Sequence, residues 1–180
     1  EEDSLIVDLS GHISDKGEYL LRSSNLQLER LRPILSGFIN EQDAAWLEQM
    51  SPKGELNQLA LRLDEQGVAA TLAFNNLQLS PTAHLPGISS LQGRLDWRNG
   101  QGRLEIAGHD GKLLTDSILD HQLSFDALNA NLYFSLVGQG LDLSMPELAF
   151  ESDVVSFRQA LHYQSADDDL ALVMQVSGLT

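Results

Sequence analysis

Apolar and polar residues alternate with a period of two along most of the chain, a pattern typical of β-strands with one buried face. Leu59, Leu61 and Leu63 alternate with Ala60 and Arg62. The pattern predicts about ten to twelve strands of ordinary length in an antiparallel sheet. The other apolar positions are Val68, Ala70, Leu72 and Phe74; Leu91, Gly93, Leu95 and Trp97; Leu104 and Ile106; Leu128, Ala130, Leu132, Phe134 and Leu136; Leu141, Leu143 and Met145; Val155, Phe157, Leu161 and Tyr163; and Leu170, Leu172, Met174 and Val176.

Short polar segments between the alternating stretches predict the turns. Asn99-Gly100 is predicted to be a two-residue hairpin turn, because both residues tolerate a positive φ. The segments Asp64–Gly67 and His109–Lys112 predict two further turns. At Asn75-Asn76 the alternation slips by one position, and we interpret this slip as a β-bulge.

Residues 31–50 break the strand pattern, because their apolar residues recur with helical spacing. The spacing predicts one or two short helices with a break near Gly37 to Asn40, and Pro52 marks their end. The residues that define the spacing are Leu31, Ile34, Leu35, Phe38, Ala44, Trp46, Leu47 and Met50.

A four-residue sequence, Asn-Leu-Gln-Leu, occurs twice, at Asn25–Leu28 and at Asn76–Leu79. Each copy follows a strand that begins after an acidic, glycine-containing turn, and a proline comes soon after it. Such a repeat favours a sheet that grows by adding similar hairpins.

The predicted strands present more apolar surface than the predicted helices can cover. A helix is about 10 Å wide, whereas neighbouring strands lie about 4.8 Å apart, so one helix covers two or three strands. Three arrangements would cover the rest: a sandwich of two sheets, a closed barrel, or a groove that a ligand fills. The alternation alone does not choose between them.

Composition narrows the possible partners. Hydrophobic residues make up 42% of the 180 residues, which is enough for a real core. Lys+Arg number 11 and Asp+Glu 26, so the net charge is −15. This charge repels nucleic acid and disfavours electrostatic docking on anionic lipid headgroups.

The sequence offers little for catalysis or for a cofactor. There are no cysteines, which excludes disulfides, thiolate metal sites and thiol nucleophiles. The five histidines form no metal-binding motif, and no serine lies in a nucleophile elbow. We predict no enzyme, no metal and no cofactor. A hydrolase that uses paired carboxylates is the weakest alternative, because nothing brings two of the carboxylates together.

Several segments resemble the YhdP family and its AsmA-like, TamB-related relatives. Leu79–Leu95 is similar to that family's L-x-P, P-G-I-x-x-L-x-G-x-L run, and Gly102–Ile106 to the G-x-L-x-I strand that follows it. Pro52–Leu56 resembles the family's P-x-G-x-L return into the sheet. The resemblance extends from about Leu5 to the end of the chain.

The resemblance implies a protein of the Gram-negative envelope, located in the periplasm and anchored in the inner membrane by a segment outside this chain. It implies a mainly β fold, a long curled antiparallel sheet whose apolar groove carries phospholipid acyl chains between the inner and outer membranes. On this view residues 1–180 are a single groove module, an internal fragment of a longer chain, and the helical insert near 31–50 plugs or caps the groove. The alternative is a closed sandwich or barrel that serves as an envelope scaffold or interaction module.

The groove hypothesis assigns a lining role to the alternating apolar residues. The predicted lining residues are Leu59, Leu61, Leu63, Val68, Ala70, Leu72, Phe74, Leu95, Trp97, Leu104, Ile106, Leu132, Phe134, Leu141, Leu143, Leu170, Leu172 and Met174.

Overall fold

The computed structural model describes residues 9–13, 18–30, 45, 48–82, 86–114, 122–137, 140–164 and 169–177. Within these ranges the chain forms eleven strands, a number inside the predicted range. They are β1 (Leu9–Ile13), β2 (Tyr19–Ser23), β3 (Leu26–Gln27), β4 (Lys53–Asp64), β5 (Gly67–Leu79), β6 (Gly87–Arg98), β7 (Gln101–Leu114), β8 (Leu123–Val137), β9 (Gly140–Glu151), β10 (Ser156–Gln164) and β11 (Asp169–Ser177).

The strands form one antiparallel sheet whose spatial order follows the chain. The order is β1-β2-β4-β5-β6-β7-β8-β9-β10-β11, and β3 pairs with β4 as well. Among the described residues, no ladder joins β1 to β11. The sheet is therefore open and curled, as the groove hypothesis predicts, and is not a barrel.

No second sheet lies on this one within the described ranges. All eleven strands belong to one sheet, in which each strand is hydrogen-bonded to its neighbours in the order. A sandwich would instead consist of two separate sheets packed face to face. The closed sandwich and the closed barrel, the two alternatives from the sequence, are therefore not the arrangement of the described strands.

The two hairpin turns that the sequence predicts most clearly are confirmed. Asn99 and Gly100 connect β6 to β7 with φ values of 49° and 84°, as a type I′ turn requires. Glu65 and Gln66 connect β4 to β5, and Gly67 has a φ of 116°. The strands fold back directly on each other at both turns.

The predicted bulge at Asn75-Asn76 is confirmed, and it explains the sequence repeat. The β5–β6 register shifts between Phe74 and Leu77, and Asn76 has a φ of 53°. Asn25, the matching residue of the other copy, has a φ of 57°. β4 thus has β2 and β3 on one side and the bulged β5 on the other. On each side an asparagine with a left-handed backbone interrupts the strand: Asn25 on one and Asn76 on the other.

The predicted turn at His109–Lys112 is wrong. β7 continues through it to Leu114, with His109 paired to Ala127 and Gly111 to Phe125. Asp110 has a φ of 49°, so turn-like residues here produce a bend inside the strand. β7 and β8 both change, at the same point, which of their residues face the apolar side, so their pairing continues beyond the bend. Such irregularities let β4 to β9 reach 12 to 15 residues, longer than predicted.

Within the predicted insert at 31–50 the structure describes residues 45 and 48–50, which are helical, and residues 28–30 just before it are helical as well. The Ser80 backbone N–H donates to the Met50 carbonyl at 2.7 Å, which connects residues 48–50 to the end of β5. Most of the predicted insert at 31–50 lies outside the described residues. Its role as a plug or cap of the groove therefore stays a prediction. Within the described ranges, none of the helical segments combines the length and the apolar character needed to cross a membrane.

Candidate functional site: the apolar face of the sheet

The ladder register aligns the apolar positions into rows that cross the sheet. Residues directly opposite each other in antiparallel strands point to the same face, so each row can be traced from strand to strand. One row contains Leu59, Leu72, Leu95, Leu104 and Leu132. The next contains Gly11, Leu21, Leu61, Ala70, Trp97, Gly102, Phe134, Leu143 and Tyr163.

The register places the predicted lining residues in these rows or in rows parallel to them. Their assignment as a groove lining remains a prediction. They lie on β4 (Leu59, Leu61, Leu63), β5 (Val68, Ala70, Leu72, Phe74), β6 (Leu95, Trp97), β7 (Leu104, Ile106), β8 (Leu132, Phe134) and β9 (Leu141, Leu143). The remaining three, Leu170, Leu172 and Met174, pair with Tyr163, Leu161 and Gln159, and their side chains lie outside the described part of the structure.

One half of the apolar face is a packed core. Phe125 is only 1% exposed and Phe150 3%. Their ring centroids are 5.7 Å apart, and Phe150 stacks on Phe157 at 5.0 Å. We call this region the bulged half. Its buried apolar residues are Leu26, Leu56, Phe74, Leu91, Phe125, Leu128, Ala130 and Phe150.

Left-handed residues cluster beside this core. Asn76 in β5, Ser90 in β6 and Asp110 in β7 have φ values of 53°, 62° and 49°. Bulges increase the local twist and bend a strand, and they are the usual means of curving a sheet. We attribute the curl of the sheet around the bulged half to these three adjacent irregularities.

The other half of the apolar face is open. It extends from the rows above to the turns at Asp64–Gly67 and Asn99-Gly100, and we call it the tip half. Leu63 is 47% exposed there, Leu136 54% and Ile13 68%. At the corner of β1, β2, β4 and β5 the face forms an apolar depression of about 360 Å³, within the range of small ligand sites. Its apolar-face lining is Gly11, Ile13, Tyr19, Leu21, Leu61, Leu63 and Val68.

The opposite face of the sheet is polar and carries the ion pairs. Arg62 bridges Glu18 at 2.6 Å and Asp64 at 2.7 Å. Arg94 Nε donates to Asp96 at 2.7 Å, and this hydrogen bond lowers the pKa of Asp96 below its usual range. Charge is thus segregated: in the described part of the sheet the cationic side chains lie on the polar face, and the apolar face carries none.

The lining of the tip half consists largely of hydrocarbon and aromatic side chains, which suits an apolar ligand. In the described part of the chain no three His, Asp or Glu side chains come together to form a metal site. The tip half offers Leu, Val, Ile and aromatic surface, which attracts hydrocarbon without directional bonds.

Sequence reasoning missed part of this face. Phe125, Leu148 and Phe150 belong to it but were not among the predicted lining residues. A local signal was present, because Leu123 and Phe125 alternate, as do Leu148 and Phe150. The bend at Asp110 and a register shift in β9 near Pro146 obscured how these pairs continue the rows.

The fold and the site together define a class of protein: an open, curled antiparallel β-groove with one apolar and one charged face. The family model described as "YhdP protein" matches residues 5–179. The chain belongs to the YhdP family, which confirms the resemblance found in the sequence. Comparisons with curated proteins and with solved structures gave no significant match.

Proposed function

We propose that this chain is a groove module of a bridge-like phospholipid-transfer protein in the Gram-negative periplasm. Acyl chains travel along the apolar face between the inner and outer membranes and so support the outer-membrane barrier. An inner-membrane anchor and the contacts with both membranes belong to parts of the protein outside this chain. The module acts without catalysis or a cofactor.

The observation that carries the proposal is a continuous apolar face on which none of the described residues forms a second sheet. Soluble monomers rarely expose contiguous apolar patches of more than a few hundred Å², yet Leu63, Val68 and Ile13 are all more than one-third exposed on the tip half. An acyl chain on this surface gains about 0.8 kcal/mol per buried CH₂. The YhdP family, a family of envelope proteins, supports the same reading.

The segregation of charge is consistent with a lipid whose headgroup stays in water. Burying a charge without a partner is costly, and the apolar face of the described strands has no cation to pair with a phosphate. The side chains of Arg62, Arg94 and Arg103 instead form ion pairs with carboxylates of the polar face. The groove therefore contacts the hydrocarbon, and no fixed charge holds a headgroup in place.

A photo-crosslinking experiment tests the proposal. A benzophenone amino acid is placed at Leu63 on the apolar face or at Gln58 on the polar face of the same strand, both exposed positions. We expect phospholipid to crosslink at position 63 and not at position 58 when the chain is expressed in a Gram-negative periplasm. Equal crosslinking at the two positions, or none at either, would contradict the proposal.

Native mass spectrometry provides the second measurement. The chain purified from the periplasm should carry phospholipid mass that delipidation removes, and it should take up a fluorescent fatty acid saturably afterwards. Leu63→Asp should abolish this uptake, whereas Gln58→Asp should leave it unchanged. If the delipidated chain takes up no fatty acid, the proposal is wrong.

A further inference from the structure

Two phenylalanine–glycine pairs join β7 and β8 on the apolar face, one in each half. Gly111 lies directly opposite Phe125 in the bulged half, and Gly102 lies directly opposite Phe134 in the tip half. A Cβ built on either glycine would overlap the Cζ of the facing ring and lie 2.7 Å from its Cε1 and Cε2. In both pairs the ring therefore leans across the neighbouring strand and covers the glycine.

The leaning ring lowers the surface of the sheet in the tip half. A ring that lies on a backbone adds about one van der Waals thickness, about 3.5–4 Å, whereas side chains usually stand roughly perpendicular to the sheet. Gly102 also faces Trp97 on its other side, so the glycine provides the low point between two large aromatic residues. Any side chain there would lift the Phe134 ring.

The three atoms that a Cβ at Gly102 would approach most closely all belong to the Phe134 ring. Gly93, which faces Phe74, differs because its Cβ would also overlap the Glu105 carbonyl. Gly11 lies in the same row as Gly102, and a Cβ there would have its nearest neighbour at 3.9 Å. Gly102 is thus covered by the Phe134 ring, whereas Gly11 has no facing ring.

We propose that Gly102 sets the clearance of the groove in the tip half by letting Phe134 lie flat, and so determines how bulky a hydrocarbon chain can pass. This inference rests on the proposed lipid-transfer function and deepens it. According to this proposal, the cross-strand pair of Gly102 and Phe134 determines whether the groove prefers slender or bulky hydrocarbon chains. The equivalent pair in the bulged half, Phe125 and Gly111, serves the core instead.

The test measures binding of a straight-chain fluorescent fatty acid, with palmitic acid and methyl-branched phytanic acid as competitors. Gly102→Ala should weaken binding of the straight chain about tenfold, the usual effect of one misplaced methyl group, and binding of the branched chain more. Gln101→Ala, at the exposed position next to Gly102 whose side chain points to the polar face, should change neither. Urea unfolding of each variant reports whether the fold is retained.

Two variants at Phe134 keep the proposal falsifiable even if Gly102→Ala fails to fold. Phe134→Leu alone should favour the branched chain several-fold over the straight one, because the groove widens. The double variant Gly102→Ala/Phe134→Leu should bind like Phe134→Leu, because no ring remains to be lifted. An unchanged preference in Phe134→Leu, or a folded Gly102→Ala that binds both chains like the unaltered protein, would overturn the inference and leave the proposed function standing. If the unaltered chain binds no fatty acid, both fail.

Discussion

The two halves of the apolar face are built from the same strands and the same kinds of residue, yet one is a core and the other is exposed. β8 passes through both: Phe125 is fully buried, whereas Leu136, at the other end of the strand, is 54% exposed. The halves differ in their backbone. Left-handed residues curl the sheet in the bulged half, and regular pairing continues to the turns in the tip half. Substitutions in the bulged half should therefore mainly alter stability, and substitutions in the tip half should mainly alter the proposed lipid binding.

The largest effect should come from truncating the aromatic core. Phe125→Ala removes the most buried large side chain of the described residues and should cost about 3–5 kcal/mol in the free energy of unfolding. Phe134→Ala, on the same strand and also facing a glycine, should cost less than about 2 kcal/mol, because its ring is only half-buried. Urea denaturation measures both. Equal losses would mean that the two halves are not distinct.

A second effect concerns the turns of the tip half. Gly67 has a φ of 116°, and a Cβ there would lie 2.9 Å from the Cγ of Asn99. Asn99 links the two adjacent hairpins, since its side chain accepts from the Val68 N–H at 3.0 Å and donates to the Gln66 carbonyl at 2.7 Å. Gly67→Ala should destabilise the chain by about 1–3 kcal/mol. Gly11→Ala, where no atom is close, serves as the control in the same unfolding experiment, and a comparable loss there would contradict this account.

A smaller loss of stability is expected from substitutions of the left-handed asparagines at the bulges. Asn76→Val places a β-branched side chain at a φ of 53° and should cost about 1–2 kcal/mol. Asn76→Gly keeps the left-handed backbone and should cost much less. The same ordering is expected at Asn25, the equivalent residue of the repeat. If Val and Gly proved equally tolerated at both positions, the left-handed asparagines would not be what maintains the curl.

Much of this fold follows from local sequence. Alternation predicts strands because a half-buried strand must place every second residue in the core. Asn99-Gly100 predicts a hairpin turn because few residue types adopt the positive φ angles that a type I′ turn requires. The bend at Asp110 was misread, because the same residue types permit a turn or a bend, and only pairing with β8 decides which forms. The pairing of Gly102 with Phe134 depends on the register between β7 and β8, in which the two residues are 32 positions apart along the chain, and no local pattern encodes it.

The smallest effect is expected from substitutions on the polar face. They should affect the bulged half and the tip half alike. Hydrogen bonds from Arg94, and to a lesser extent from Thr71, lower the pKa of Asp96 below 3.8. Because the folded value is the lower one, the ion pair contributes its full stability above pH 3.8 and loses it as the pH falls through the folded pKa. Because both side chains are about half exposed, solvent screens the pair and its contribution to stability is small.

Asp96→Asn should therefore reduce stability slightly at pH 7 and flatten the loss of stability below about pH 4, as measured by thermal unfolding across a pH series. Fatty-acid binding at pH 7 should be unchanged, because Asp96 lies on the face opposite the apolar rows. If this substitution weakened fatty-acid binding as strongly as Leu63→Asp, the two faces would not be functionally separate. The distinction between the bulged half and the tip half would then no longer account for where the ligand lies.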